Sequence, residues 1–271
     1  MLSRSIPSTD ELLPVLGLGT WQTFDIADPA SRPLAEVLQT FHRAGGRLID
    51  SSPMYGQAEE AIGTLTEPMP ERDDFFYATK VWTTGRDEGI RQMKASMQKM
   101  RRTAIDLMQI HNLVDWQTHL KTLQAWKAEG RVRYIGVTHY TDASHAELEQ
   151  LIATRQFDFV QFNYSLFARN AEKSLLDAAA HHGVAILINR PFGEGGYFRR
   201  LAGKGLPAWA ADYGIESTAQ LLLKYIISHL AVTCVIPATS NPAHAADNMR
   251  AGEGLLLDEA GRAKAVAWAT A

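Results

Sequence analysis

The stretch LIDSSPMYG, Leu48–Gly56, carries an apolar run directly into a carboxylate at Asp50 and, five positions later, sets Tyr55 in a short Ser/Pro/Gly loop. A run of that length suits one buried strand, and its polar end delivers a side chain to the edge of the sheet. The form recurs. FFYATKVW brings Lys80 to a strand end and IDLMQIH brings His111, at intervals of 30 and 31 residues. Counting outward, eight such runs appear, the others being VLGLGTW, VRYIGVTH, FVQFNYS, VAILINRP and VTCVIPAT.

Between the runs lie amphipathic patterns of helical period, such as RPLAEVLQTFHRAG and THLKTLQAWKAEG, several of them closing on glycine. Strands apolar on both faces and joined by helices predict a parallel sheet, and eight units in this length predict an α/β fold of the (β/α)8 TIM-barrel type. The alternative is an open doubly wound sheet, but GLGTW lacks the glycine and helix of a GxGxxG dinucleotide turn. The N-terminal segment is expected to form a β-hairpin across the barrel bottom, and residues 192–214 form a long glycine-rich insertion after the seventh strand. With no linker or longer repeat, residues 1–271 read as one domain.

With 46% hydrophobic residues the chain has ample material for a core. Twenty-seven basic against thirty acidic residues, a formal charge of -3, provide no electrostatic reason to expect nucleic acid or a membrane as partner. The single cysteine, Cys234, lies in an apolar run, and no sustained apolar segment opens the chain. A cytoplasmic protein is expected, with no metal site and no obligate protein partner.

Asp50, Lys80 and His111 end consecutive strands, which lie ~4.8 Å apart in a parallel sheet, so they converge on the C-terminal rim where barrel enzymes hold their active sites. Asp50 can pair with Lys80. The fixed ammonium, beside Tyr55, is expected to pull the phenol below its ordinary pKa and prepare it for proton transfer. His111 can donate a hydrogen bond to an oxygen held next to Tyr55, which polarises a carbonyl. A hydride donor bound alongside would complete a reduction.

Across nearly its whole length, from GLGTW through LIDSSPMYG, ATKVW, DLMQIHN, GVTHY and VQFNYS to VIPATSNPAHAADN, the sequence resembles the aldo-keto reductases, and Asp50, Tyr55, Lys80 and His111 match that family's tetrad one by one. The resemblance implies an oxidoreductase that reduces aldehydes and ketones with NADPH, NADH being possible, and Tyr55 as proton donor. It implies cofactor contacts from Gly19, Thr20, Trp21 and Asp50. Thr138 and His139 stand where the family has Ser-Asn on the nicotinamide carboxamide, and Gln161 matches the family's glutamine. Asn189 stands where many members place a tyrosine that stacks on the nicotinamide. Arg190, Pro191, Phe192 and Gly193 would approach the pyrophosphate. Pro237, Thr239, Ser240 and His244 would meet the phosphates at a helix N-terminus, with Asp247 and Asn248 toward the adenine. Trp21, Trp82 and Asn112 would line the substrate pocket with Tyr55 and His111.

Ala238 and His244 replace basic residues that many members direct at the 2'-phosphate, and Arg199, Arg200 and Lys204 on the insertion are the expected compensation. The short C-terminal tail predicts an open pocket for small-molecule carbonyl substrates. Two other readings share the residues: a cofactor-sensing regulatory subunit, as in the potassium-channel β subunits, and an aldolase with Lys80 as Schiff-base lysine.

Overall fold

The computed structural model describes residues 1–271. An antiparallel hairpin, β1 (Ser3–Ser5) and β2 (Leu12–Pro14), precedes eight parallel strands in one sheet whose spatial order follows the chain. These are β3 (Leu18–Gly19), β4 (Leu48–Asp50), β5 (Phe76–Val81), β6 (Ile105–His111), β7 (Val132–Thr138), β8 (Phe159–Asn163), β9 (Ala185–Asn189) and β10 (Cys234–Val235). The expected barrel is thus present, and every expected run supplies a strand. It closes at a thin seam: β3 and β10 share no ladder, and the gap is bridged by the pairs Leu16 with Val235 and Gly19 with Ala238. A Cβ on Gly19 would lie 2.8 Å from the Ile236 carbonyl oxygen, so the seam requires glycine there.

Helices α1 (Leu34–Arg43), α2 (Ala58–Thr66), α3 (Arg86–Lys99), α4 (Trp116–Ala128), α5 (His145–Ala153) and α6 (Leu175–His181) follow β3 to β8 in turn. After β9 come α7 (Gly196–Arg200), a 3-10 segment and α8 (Thr218–Ile227); α9 (Pro242–Arg250) follows β10, and α10 (Glu259–Thr270) ends the chain. In α1 the buried residues are Leu34, Val37, Leu38 and Phe41, the spacing of one helical face. Proline at the first position and the Asn241 side chain, which accepts from the Ala243 amide, start α9.

The period of two along the strands sorts the interior. Leu48, Phe76, Leu107, Tyr134, Phe159, Leu187 and Cys234 form an apolar layer inside the barrel, sealed below by Ile6 and Leu13 of the hairpin segment. The alternate residues face the helices and join a larger core between sheet and helices. Two or four positions further along the same inward rows stand Asp50, Lys80, Gln109, His111, Gln161 and Asn189. Apart from the Tyr134 hydroxyl, which bonds to Thr9 and Glu11 at the hairpin end, the polar groups of these rows stand in the C-terminal half of the barrel. No helix is long and apolar enough to cross a membrane.

Candidate active site

The rim residues form one connected network. Lys80, fully buried, donates from Nζ to Asp50 Oδ2 at 2.6 Å and to the Ser51 carbonyl at 2.6 Å. The other carboxylate oxygen of Asp50 accepts from Gln109 Nε2 at 2.8 Å and Gln161 Nε2 at 3.0 Å. Burial alone would drive the proton off Lys80, but the Asp50 carboxylate prevails and its pKa is raised. An amine held so firmly protonated is a poor nucleophile, which counts against Schiff-base chemistry.

Tyr55 lies above this pair, with Lys80 Nζ 5.0 Å from its ring centroid. Its loop is fastened by Asp25, whose carboxylate accepts from the Gln57 amide at 2.9 Å. Gly56 has φ +58, and a Cβ there would collide with the Asp25 carboxylate at 2.1 Å, so only glycine lets that carboxylate approach. The expected direction of the Tyr55 shift is overturned. Burial raises the phenol pKa, and the opposing Lys80 ammonium does not cancel it. The half-buried ring has exchanged water for protein, and phenolate suffers most from that exchange. Tyr55 is therefore protonated at neutral pH.

His111 stands edge-on to Tyr55, ring centroids 5.9 Å apart. Burial, then the charge on Lys80, pushes its pKa down to about 2, so the ring is neutral. The partner of its Nδ1 is Ser52. The Ser52 hydroxyl accepts from the Met54 amide at 3.3 Å and lies 3.0 Å from His111 Nδ1. The hydroxyl can donate to Nδ1, and in that tautomer the ring hydrogen is on Nε2.

A cavity of about 630 Å³ opens above these groups. Tyr55, His111, Trp21, Trp82, Met54 and Asn112 line one end, and Thr138, Gln161, Asn189, Arg190 and Phe192 the other. Trp82 is fixed by Gln92, which accepts from its amide at 2.5 Å and donates to its carbonyl at 3.1 Å. Trp21 and Trp82 are 39% and 42% exposed, which makes them walls of an open mouth rather than core. Gly19, Thr20, Asp50 and Pro191 also line the cavity.

Other sequence-chosen residues lie apart from it. His139 accepts at Nδ1 from the Tyr140 and Thr141 amides at 2.9 and 3.3 Å and stacks on Tyr140. That imidazole faces its own loop and is absent from the cavity wall. Gly193, Pro237, Thr239, Ser240, His244, Asp247 and Asn248 lie outside the cavity. Asp247 accepts from Ser217 Oγ and Gln220 Nε2, each at 2.6 Å. Arg200 stacks over Phe167 and Lys204 over Trp268, so two of the insertion's three cations are turned to aromatic partners. Ser52 and Gln109 escaped the sequence reading; Gln109, two residues before His111 on one strand, was detectable from the period of two.

The Aldo/keto reductase family model matches residues 15–263. Methylglyoxal reductase YeaE of Escherichia coli (strain K12) is 29% identical over 250 residues, covering 89% of this chain and 86% of that protein. A 9,11-endoperoxide prostaglandin H2 reductase of Trypanosoma cruzi (strain CL Brener) is 28% identical over 258 residues, covering 91% of this chain and 85% of its own length. The crystal structure of an aldo-keto reductase from Klebsiella pneumoniae in complex with NADPH superposes with a TM-score of 0.82 at 23% identity, over 98% of this chain and 94% of that one, a likeness of fold. A barrel with this rim network and a family match over residues 15–263 identify the chain as a member of the aldo/keto reductase family.

Proposed function

We propose that this chain is an NADPH-dependent reductase of aldehydes and ketones in which Tyr55 is the proton donor. The observation that carries the reading is the buried Lys80–Asp50 pair, 2.6 Å apart, beneath a protonated Tyr55 and beside a neutral His111. When bound, the cofactor supplies the hydride. His111 Nε2–H points the substrate oxygen toward Tyr55, and Tyr55 gives it a proton as negative charge develops there. Lys80 steadies the resulting phenolate and Asp50 fixes Lys80.

The residues present fit the nicotinamide end of such a cofactor. The cavity wall includes Gln161, Asn189 and Arg190 as well as Tyr55 and His111, and the Asn189 Oδ1 atom lies buried just behind that wall without a donor. Methylglyoxal belongs among the first substrates tried, since a relative is named for its reduction. The test is a panel of aldehydes and ketones, with NADPH and with NADH, followed by cofactor absorbance. Tight cofactor binding without turnover of any carbonyl would favour a regulatory subunit instead.

A further inference from the structure

We propose that Asn189 holds the carboxamide of the nicotinamide, in the part that Thr138 and His139 would play by position; this rests on the cofactor reading above. The inference follows the direction of the hydrogen bonds outward from Asp50. A carboxylate paired with Lys80 only accepts, so Gln161 must turn its Nε2 toward Asp50 Oδ1, at 3.0 Å. Its Oε1 consequently faces away, where it accepts from Thr138 Oγ1 at 3.2 Å and from Asn189 Nδ2 at 3.3 Å. Asn189 Nδ2 also donates to the His139 carbonyl at 3.1 Å. Both neighbours of that amide are acceptors, which fixes its nitrogen toward them. Asn189 Oδ1 is left over without a donor and closed off from solvent, on a residue whose other atoms line the cavity, so a ligand's donor meets it when the amide tilts outward.

An orphaned acceptor in a native interior calls for an explanation, and a ligand that brings the donor is one. A primary amide has the matching group in its NH2. The His139 ring is set back from the cavity: its Nδ1 accepts from the loop amides, and it stacks on Tyr140, which lines the cavity where His139 does not. The asparagine that the resemblance places next to Thr138 has, in effect, moved to the end of β9, where it also displaces the stacking aromatic.

The experiment compares binding of NADP⁺ with its 3-acetylpyridine analogue, in which a methyl replaces the carboxamide NH2, to the purified full chain by titration calorimetry. The wild type is expected to prefer NADP⁺ by about tenfold, the worth of one well-formed hydrogen bond. Asn189→Ala should weaken NADP⁺ binding by about tenfold and leave the analogue unchanged, while His139→Ala keeps the discrimination. Circular dichroism checks folding, and Asn189→Ser, with the same expected collapse, replaces the alanine variant should it not fold. Full discrimination in a folded Asn189 variant, or its loss in His139→Ala, overturns the proposal. A wild type that binds neither NADP⁺ nor NADPH overturns the cofactor reading itself, a result distinct from either.

Discussion

At the scale of single residues, the chemistry depends on which protons are present, and these are set by burial as much as by neighbours. Tyr55→Phe should fold, bind cofactor and lose reductase activity by about 10²- to 10⁴-fold, the usual worth of a positioned acid; single-turnover rates and cofactor titration check both halves. Ser52→Ala removes the hydrogen-bond partner of His111 Nδ1. It should lower kcat by roughly tenfold with KM little changed, and the nitrogen shifts of His111 in a labelled sample should show mixed tautomers. His111 also marks the acid side of the stability curve. Its folded pKa of about 2 lies below the ordinary 6.5, so on acidification the unfolded chain binds the proton first. The contribution of the neutral ring is complete above the ordinary value and is lost as pH falls toward the folded one, by up to about 1.4 kcal/mol per unit. Denaturant melts of wild type and His111→Gln should therefore converge between about pH 7 and about pH 4.5. The tetrad was legible in the sequence because each member ends or follows a strand, but the direction of the Tyr55 shift was not. Spacing reveals which charge is near and says nothing of how much water has left.

At the scale of elements, strands were read more surely than their attachments. Apolar runs mark β4 to β9 plainly, whereas the bonds that tie helices and connections together join residues far apart in the chain. Lys224 on α8 is an example: 1% exposed, it donates to the carbonyls of Tyr213, Glu253 and Leu255 at 2.9, 2.7 and 3.0 Å, and so ties two connections to one helix. Lys224→Met keeps the stem and strands those carbonyls, and should cost about 3 kcal/mol in urea unfolding, with activity of the folded fraction retained. Glu59 on α2 works in the opposite sense. It is buried against Thr79 of β5, which donates to Oε1 at 2.5 Å, while Oε2 has no partner. Burial raises its pKa despite the Thr79 bond, so its charged form weakens the fold as pH rises above the ordinary carboxyl value. Glu59→Gln should be more heat-stable than wild type at neutral pH, by roughly 2–4 °C for each kcal/mol recovered, and the gain should vanish in acid; a lower melting temperature at neutral pH would show that the carboxylate is needed.

At the scale of the whole molecule, the insertion lines the cavity only through its first residues, Phe192, Glu194 and Gly195, and the C-terminal helix contributes nothing to the wall. Arg262 anchors α10 by donating to Tyr164 and Glu172 at 2.8 and 2.6 Å, and Tyr225 joins the same carboxylate at 2.7 Å. Arg200 and Lys204 are stacked on aromatics, which leaves Arg199 of the insertion and the exposed His244 without an aromatic or carboxylate partner. The ratio of kcat/KM for NADPH over NADH is accordingly expected to favour NADPH by about tenfold or less, the value of a single contact, and parallel kinetics with both cofactors measure it. The sequence had suggested the cation cluster as a substitute; it could not show that Phe167 and Trp268 lie nearer. The seam has a consequence of another kind. Gly19 and Thr20 come from one side of it and Ile236 and Ala238 from the other, and all four line the cavity. A molecule filling that cavity acts as a clasp across the place where the barrel is joined most thinly. Deuterium uptake at the amides of Gly17, Gly19 and Val235, which hold the seam through the Val235, Pro237 and Val15 carbonyls, should slow markedly once the clasp is in place, and it is from these amides that the empty barrel should begin to open.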